Sequence, residues 1–299
     1  MDHAQGAEGG ETMRPLPKFQ YHAPKTLTEA VKLMDTLENA KPVIGGTDLV
    51  PLLREAACRP SHMIDLNNVT ELNYVREEDG FICIGATTTH SQVAASELMR
   101  KAPAVVDAVS RIGSPQIRNR GSITGNLCNA SPAADSAPPL LVYDAEVKIV
   151  SSDDTAIIPL QELFAGPKIN SLEPNELVTE IRFPVPPESS SSSFKRIARR
   201  KAFTLSIVSA AAYVEMDGAV CFEGRVAFGS VAETPIRVPE VEELLAGKEM
   251  DSQTISEAAE AAKRSVAPIT DVRGTAEYRR DMCGVLLKRA LYTAVGRLS

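Results

Sequence analysis

The sequence has few cysteines, and they follow no recognisable spacing. The five cysteines of the 299-residue chain stand far apart, and no two form a C-x-x-C pair: Cys58, Cys83, Cys128, Cys221 and Cys283. This odd, scattered set argues against a disulfide framework, a zinc site or an iron–sulfur cluster within the chain. The four histidines include no H-x-x-x-H pair. We therefore predict no metal site.

The chain also lacks an excess of positive charge and a long hydrophobic run. Its net charge is −7, whereas a nucleic-acid or anionic-membrane partner requires a basic face. No apolar run approaches the roughly 20 residues that span a bilayer. Residues 1–13 are polar and lack the features of a signal peptide, so we predict a disordered leader on a cytoplasmic protein. Nucleic-acid partners and membrane spans are thus not expected.

What the sequence does contain is a mixture of helix and strand patterns. Apolar residues recur at helical spacing in residues 26–38, 91–113, 252–266 and 275–298. Strand patterns occur in residues 41–44, 62–69, 80–89, 140–151 and 176–185. Residues 207–235 form two strand patterns around Asp217-Gly218, which is a hairpin signal. Helices mixed with antiparallel strands predict an α+β protein.

A break in composition divides the chain into two predicted domains. Residues 189–193 are five consecutive serines that follow two prolines. Serines cannot build a hydrophobic core, and the prolines disfavour a helix, so we predict a linker here. The linker separates a domain of residues 14–188 from a smaller one of residues 194–299.

Two glycine-containing segments are candidates for ligand binding. IGGTD at residues 44–48 and SITGN at residues 122–126 combine glycine with Thr, Ser or Asn. Glycine permits positive φ and close approach of backbone, and turns that expose successive amides can seat phosphate oxygens. Neither segment is a Walker A loop or a G-x-G-x-x-G motif. The residues alone leave two interpretations open, a tight structural turn and a phosphate- or nucleotide-binding segment.

Three longer motifs carry a family resemblance. PVIGGTDLVP, IGSPQIRNRGSITGNLCNASPAADSAPPLL and DVRGTAEYRRDMCGVLLKRAL resemble, in order and spacing, the FAD-binding subunit of the molybdenum hydroxylases. This family includes bacterial xanthine, nicotinate and carbon monoxide dehydrogenases, and the resemblance runs from about residue 14 to the end. It implies a vanillyl-alcohol-oxidase-type FAD-binding domain of two α/β subdomains, followed by a smaller C-terminal α/β domain.

The resemblance also implies a cofactor, partners and a reaction. The cofactor is FAD, which accepts electrons from [2Fe–2S] clusters on a small partner subunit. A large partner subunit holds the molybdenum cofactor and oxidises the substrate. NAD⁺ or another acceptor then takes the electrons. No catalytic residue is predicted, because hydride transfer between flavin and nicotinamide requires no general acid or base and the flavin supplies the redox chemistry.

Several residues match the family's cofactor contacts. The first glycine segment matches a flavin loop through Pro42, Val43, Ile44, Gly45, Gly46, Thr47, Asp48 and Leu49. The second glycine segment matches a loop usually written T-I-G-G-N through Ser122, Ile123, Thr124, Gly125 and Asn126. Thr124 stands where the family has glycine, which implies an altered backbone approach. Single positions match a nucleotide contact, a cofactor-hydroxyl ligand, an isoalloxazine contact and a flavin-contacting lysine: Ile112, Asp135, Val178 and Lys195.

Residues 199–209 match the family segment that approaches the flavin face where nicotinamide docks. Thr204-Leu205 replaces an Asp-Tyr pair of the carbon monoxide dehydrogenases, which favours the xanthine- or nicotinate-dehydrogenase side. Arg199, Arg200 and Lys201 either attract an anionic acceptor or form a solvated charge run.

Two alternatives remain open on the sequence. One is a stand-alone flavin oxidoreductase with the same FAD-binding fold, which turns over without partners. The other is a non-catalytic scaffold whose flavin segments have decayed, which the substitution at Thr124 favours. A subunit of a complex needs its partners for turnover, and a scaffold binds no FAD.

Overall fold

The computed structural model describes residues 15–200 and 204–298, and these contain ten α-helices and 15 β-strands. The expected leader of residues 1–13 and the expected acceptor-attracting Lys201 lie outside the described residues. The described residues form two subdomains followed by a C-terminal domain, each combining helices with a sheet. The predicted α+β architecture is confirmed.

The first subdomain is a small parallel sheet with a covering helix. Its elements are β1 (Gln20–His22), α1 (Leu27–Thr36), β2 (Ala40–Val43), α2 (Leu49–Arg54) and β3 (His62–Asp65). Strand β3 lies between β1 and β2, and both pairings are parallel. Helix α1 begins where the Thr26 hydroxyl accepts a hydrogen bond from the Glu29 amide at 3.2 Å. Its buried face packs in one core with residues of β3 and the following turn: Ala30, Val31, Met34, Ile64 and Leu66.

The second subdomain is a five-stranded antiparallel sheet with short helices on it. The strands are β4 (Val75–Glu78), β5 (Phe81–Gly85), β6 (Glu146–Val150), β7 (Thr155–Pro159) and β10 (Leu177–Pro184). Their order is β4-β5-β10-β6-β7. The helices are α3 (His90–Ala95), α4 (Pro103–Val109), α5 (Pro115–Arg118), α6 (Ile123–Cys128) and α7 (Ala137–Leu141). A two-stranded ribbon completes it, β8 (Phe164–Gly166) with β9 (Ile169–Asn170).

The C-terminal domain packs three helices on an antiparallel sheet. Its strands are β11 (Ser190–Ala198), β12 (Ser206–Asp217), β13 (Val220–Gly229), β14 (Ile236–Arg237) and β15 (Lys248–Glu249). Its helices are α8 (Pro239–Leu245), α9 (Ser252–Arg264) and α10 (Ala276–Gly296). Strands β12 and β13 form the predicted hairpin, which turns at Gly218 with φ +59°. The longest helix, α10, packs against α9, β11 and β12.

The prediction of a serine-rich linker is wrong. Four of the five serines belong to β11, which pairs with β12 along its length. The Ser192 hydroxyl accepts a hydrogen bond from the Ala104 amide at 3.0 Å and is also bonded to the Tyr143 hydroxyl. A small hydroxyl side chain can be buried once its hydrogen bonds are satisfied. The serine run therefore lies inside the contact between the two domains, and the connection is reduced to residues 185–189.

Two predicted elements have different boundaries in the structure. The strand expected at residues 140–151 starts only at Glu146, because residues 137–141 form helix α7. Pro138 and Pro139 fit there, since proline is tolerated in the first helical turn. The helix expected at residues 91–113 is broken before Pro103, with a 3₁₀ turn between α3 and α4.

Within residues 15–200 and 204–298, no helix combines the length and the apolar character needed to cross a membrane.

Candidate functional site

The first glycine segment connects strand β2 to helix α2. Gly46 has φ +67°, and its carbonyl accepts a hydrogen bond from the Val50 amide at 2.9 Å. The Ile44 carbonyl is held by the Asn67 side-chain amide at 2.8 Å. In the described part of the chain, no group accepts a hydrogen bond from the backbone amides of residues 45–48. Successive unpaired amides beside a positive-φ residue can bind phosphate oxygens.

Gly45 brings the two glycine segments into contact. A Cβ atom at this position would lie 2.2 Å from the Arg120 carbonyl oxygen and 2.8 Å from the Gly121 Cα. Gly121 lies against the first segment more loosely, since its own Cβ would lie 3.4 Å from the Thr47 hydroxyl. Only glycine permits this approach of one backbone to another. Segments about 75 residues apart in sequence are thus adjacent in space.

The second glycine segment, which matches a family loop, is the start of a helix. Ser122 is the N-cap of α6, and its hydroxyl accepts a hydrogen bond from the Gly125 amide at 3.0 Å. Asn126 is fixed by the Ser136 hydroxyl, which donates to its side-chain oxygen at 2.7 Å. Thr124 is buried, and no partner in the described residues bonds its hydroxyl. The small residues allow this turn of helix to lie close to the first segment.

A third segment, which the sequence did not indicate, completes the contact. Thr89 forms an isolated bridge with Ser122, and the His90 amide donates to the Gly121 carbonyl at 2.9 Å. The His90 ring is buried, and its Nδ1 has no partner among the described residues. Burial lowers the pKa of His90 to about 4, and the positive charge of Arg118 acts in the same direction. His90 is therefore neutral near pH 7.

His90 could not be found from the sequence because its contact depends on the fold. The local signal is a capping box, in which Thr89 and Gln92 bond each other's backbone amides at the start of α3. That signal predicts a helix start. It does not predict pairing with a segment some 30 residues further along.

Asp135 lies in a buried ion pair between the two domains. Its carboxylate accepts hydrogen bonds from the Arg196 guanidinium on β11 and from the Ser206 hydroxyl on β12. The side chains of Asp135 and Arg196 are 5% and 6% exposed. Burial raises the pKa of the Asp135 carboxyl, and Arg196 and Ser206 oppose this rise. The Ser209 hydroxyl also acts to lower this pKa, and a carboxylate oxygen can accept more than one hydrogen bond.

The other predicted contact residues lie on separate elements. Ile112 is half-buried beside the core of the second subdomain, and its carbonyl accepts from Arg118 at 3.0 Å. Val178 is buried on β10 opposite Ile149, next to a bulge in the strand. Lys195 lies half-buried on β11, where partial desolvation lowers its pKa. The structure thus joins the glycine segments directly and places these three side chains outside that contact.

The segment expected to face the acceptor is only partly described. Leu205 directly precedes β12, and 58% of its surface is exposed. Asp48, from the first glycine segment, is also exposed, and its carboxylate makes no capping hydrogen bond to α2.

Three potential metal ligands lie together elsewhere, on the sheet of the second subdomain. One ligand atom each from Glu78, Cys83 and Glu180 lies within 4.8 Å of the others. The Tyr74 hydroxyl donates to Glu180 at 2.6 Å. Burial raises the pKa of the Cys83 thiol to about 11, so the thiolate form is disfavoured. The group is best described as part of a hydrogen-bonded sheet surface.

Two known sequence families match the chain in succession. The family described as the FAD binding domain in molybdopterin dehydrogenase matches residues 17–186. The CO dehydrogenase flavoprotein C-terminal domain matches residues 192–294.

Individual relatives match over nearly their full length. The chain is 33% identical to the carbon monoxide dehydrogenase medium chain of Afipia carboxidovorans, covering 93% of this chain and 97% of the relative. It is 34% identical to the xanthine dehydrogenase FAD-binding subunit of Escherichia coli O157:H7, covering 92% and 95%. It is 35% identical to subunit alpha of the 6-hydroxypseudooxynicotine dehydrogenase complex of Paenarthrobacter nicotinovorans, covering 95% and 97%.

Solved structures show the same fold. A chain of carbon monoxide dehydrogenase from Hydrogenophaga pseudoflava matches with a TM-score of 0.91 and 31% identity, covering 96% of this chain and all of that one. The glycine segments, the domain order and these similarities lead to one conclusion. The chain belongs to the family of FAD-binding subunits of the molybdenum hydroxylases, a family of oxidoreductase subunits whose cofactor on this chain is FAD.

Proposed function

We propose that this chain is the electron-transferring flavoprotein subunit of a cytoplasmic, three-component molybdenum hydroxylase. In this proposal a small subunit delivers electrons from [2Fe–2S] clusters, and a large subunit holds the molybdenum cofactor. The final acceptor is NAD⁺ or another carrier. The observation that carries the proposal is the row of unpaired amides at residues 45–48, held against the second glycine segment.

The two glycine segments hold the dinucleotide in this proposal. The amides of residues 45–48 donate to the pyrophosphate oxygens, and each such bond to a charged acceptor contributes about 1.5–3 kcal/mol. Gly45 and Gly121 keep that row of donors in place. Residues 42–49 and 122–126 are accordingly proposed as the cofactor-binding segments, with the Thr124 hydroxyl as a further polar group in the second one.

The remaining predicted contacts have chemistry that suits a flavin nucleotide. Asp135 retains lone pairs for a cofactor hydroxyl, and Val178 and Ile112 offer apolar contact. Lys195 has a lowered pKa, and a half-buried ammonium can donate to a ring heteroatom. When bound, FAD supplies the redox chemistry, since flavins accept two electrons and release them singly or in pairs.

This chain is about equally similar to relatives from two types of complex. Its identity to the carbon monoxide dehydrogenase medium chain, 33%, is close to its identity to the xanthine dehydrogenase subunit, 34%. The Thr204-Leu205 pair still favours a xanthine- or nicotinate-type complex in our proposal.

The acceptor can be tested on the flavin-loaded chain under anaerobic conditions. We expect absorbance bands at about 370 and 450 nm, typical of protein-bound oxidised flavin, and bleaching of both on addition of NADH. Bleaching only after partner subunits are added would place acceptor exchange on the assembled complex. Bound flavin that NADH never reduces, alone or in the complex, would exclude NAD⁺ as the acceptor.

The need for partners is tested by co-purification. The chain, expressed with candidate large and small subunits from its own genome, should elute as one complex. Substrate oxidation should require all three chains. Full substrate turnover by this chain alone would support a stand-alone flavin oxidoreductase and contradict the proposal.

A further inference from the structure

Helix α7 and the segment before it belong to the second subdomain, but the C-terminal domain holds them. The Ser230 amide donates to the Pro132 carbonyl at 2.7 Å. A Cβ at Gly229 would lie 3.3 Å from the Pro138 ring and 3.5 Å from the Pro132 carbonyl oxygen. Residues 131–138 are therefore seated directly on the ends of β12 and β13.

Within this segment, Asp135 takes its hydrogen bonds from the other domain. Its two carboxylate oxygens accept from Arg196 on β11 and from Ser206 on β12. Arg196 is the only cation in an ion pair with Asp135 among the described residues. A carboxylate that is 5% exposed requires such a partner, because an unpaired buried charge is strongly unfavourable. Without Arg196, Asp135 must either move toward water or take up a proton.

The next residue connects Asp135 to the second glycine segment. The Ser136 hydroxyl donates to the Asn126 side-chain oxygen at 2.7 Å, and Ser136 itself is fully buried. Asn126 is the last residue of that segment and lies inside α6. A shift of Asp135 toward water would therefore pull on Asn126 through one covalent step and one hydrogen bond.

The other end of α7 is held in a similar way but has no link to the glycine segments. Arg237 donates to the Leu141 carbonyl at 3.0 Å, and Arg225 donates to the Val142 carbonyl at 3.3 Å. Both arginines also pair with Asp144. This end provides a matched control, since it is also an arginine contact between the domains.

We propose that Arg196 is a positioning residue of the cofactor site, which acts through Asp135 and Ser136 to hold the second glycine segment in its binding position. The inference rests on the proposed function for its effect on FAD. The predicted loosening of the second glycine segment does not depend on FAD. Arg196 and Lys195 project from opposite faces of β11, so a change at Arg196 leaves the lysine face of the strand intact.

The test compares Arg196→Met, Arg196→Lys and the control Arg237→Met in the full chain. The first measurement is the FAD dissociation constant. The second is hydrogen exchange of the amides of α6 without FAD. We expect Arg196→Met to weaken FAD binding by about tenfold and to speed exchange in α6 by a similar factor. In Arg196→Lys, the FAD affinity and the α6 exchange rate should lie between those of Arg196→Met and those of the unchanged chain. Arg237→Met should lower the melting temperature, but its FAD affinity and its α6 exchange rate should stay close to those of the unchanged chain.

Equal effects of Arg196→Met and Arg237→Met on FAD affinity and on α6 exchange would overturn the inference, because both would then act only through general stability. If the unchanged chain binds no FAD, the proposed function fails, and the exchange measurement still decides the inference. Should Arg196→Met not fold, Asp135→Asn/Arg196→Met removes both charges. In that variant no buried charge drives residue 135 toward water, so exchange in α6 should be close to that in Arg237→Met, and markedly faster exchange would refute the positioning role.

Discussion

Replacement of Gly45 by alanine tests the contact on which the candidate site depends. The new Cβ would lie 2.2 Å from the Arg120 carbonyl oxygen, whereas nonbonded carbon and oxygen stay about 3.3–3.6 Å apart. The two glycine segments must then separate by about 1 Å. Both atoms that flank the new methyl group are backbone atoms, so no side chain can rotate away.

The expected cost lies at the upper end of the range for overpacking, about 3 kcal/mol. At roughly 2–4 °C per kcal/mol, the melting temperature should fall by about 6–12 °C. FAD affinity should fall by about tenfold or more, because the amides of residues 45–48 lose their position relative to the second segment. Thermal unfolding without FAD and a fluorescence titration with FAD measure the two effects separately.

Gly296→Ala is the matched control. No atom lies within 4 Å of a Cβ built at Gly296, which ends α10, and alanine is the better helix former by about 1 kcal/mol. This variant should be as stable as the unchanged chain or more so, with the same FAD affinity. If Gly45→Ala kept both its melting temperature and its FAD affinity, the described contact between the segments would be wrong.

Two further predictions concern the serine strand and the buried histidine. Ser192→Ala leaves the Ala104 amide and the Tyr143 hydroxyl without their partner, so we expect a loss of about 2 kcal/mol in a urea denaturation series. Ser189→Ala, just before β11, should change stability by less than about 0.5 kcal/mol. If Ser192→Ala and Ser189→Ala had equal effects, the serine run would behave as a linker. For His90, a folded-state pKa of about 4 against 6.5 unfolded means that the unfolded state binds the extra proton. The free energy of unfolding should therefore fall by up to about 3 kcal/mol as the pH falls from 6.5 to 4. When the melting temperature is measured against pH, it should fall less over this range in His90→Gln than in the unchanged chain.

The parts of the fold that depend on local pattern could be predicted from the sequence. Apolar spacing predicts helix α1, and an Asp-Gly turn signal predicts the hairpin at Gly218. The two glycine segments could be selected because their residue types permit close backbone approach. That they approach each other depends on the packing of Gly45 on Arg120, which no local pattern encodes.

The error on the serine run and the missed partner of Asp135 both arose where tertiary contacts decide what a polar residue does. A serine run in the sequence suggests solvent exposure, but Ser192 is buried because it bonds Ala104 in α4 and Tyr143 in the turn after α7. Asp135 was expected to be a cofactor ligand through family resemblance. Its partner Arg196 stood in a basic segment with no feature that marked it as buried.

In the proposed function, the unpaired amides of residues 45–48 hold the pyrophosphate of a dinucleotide. Titration of FAD, FMN and riboflavin into the purified chain tests it most directly, because the three share the isoalloxazine ring and only FAD has the pyrophosphate bridge. We expect one tightly bound FAD per chain, and FMN and riboflavin binding at least about 100-fold more weakly. No FAD binding, or equal affinity for FMN and FAD, would contradict it.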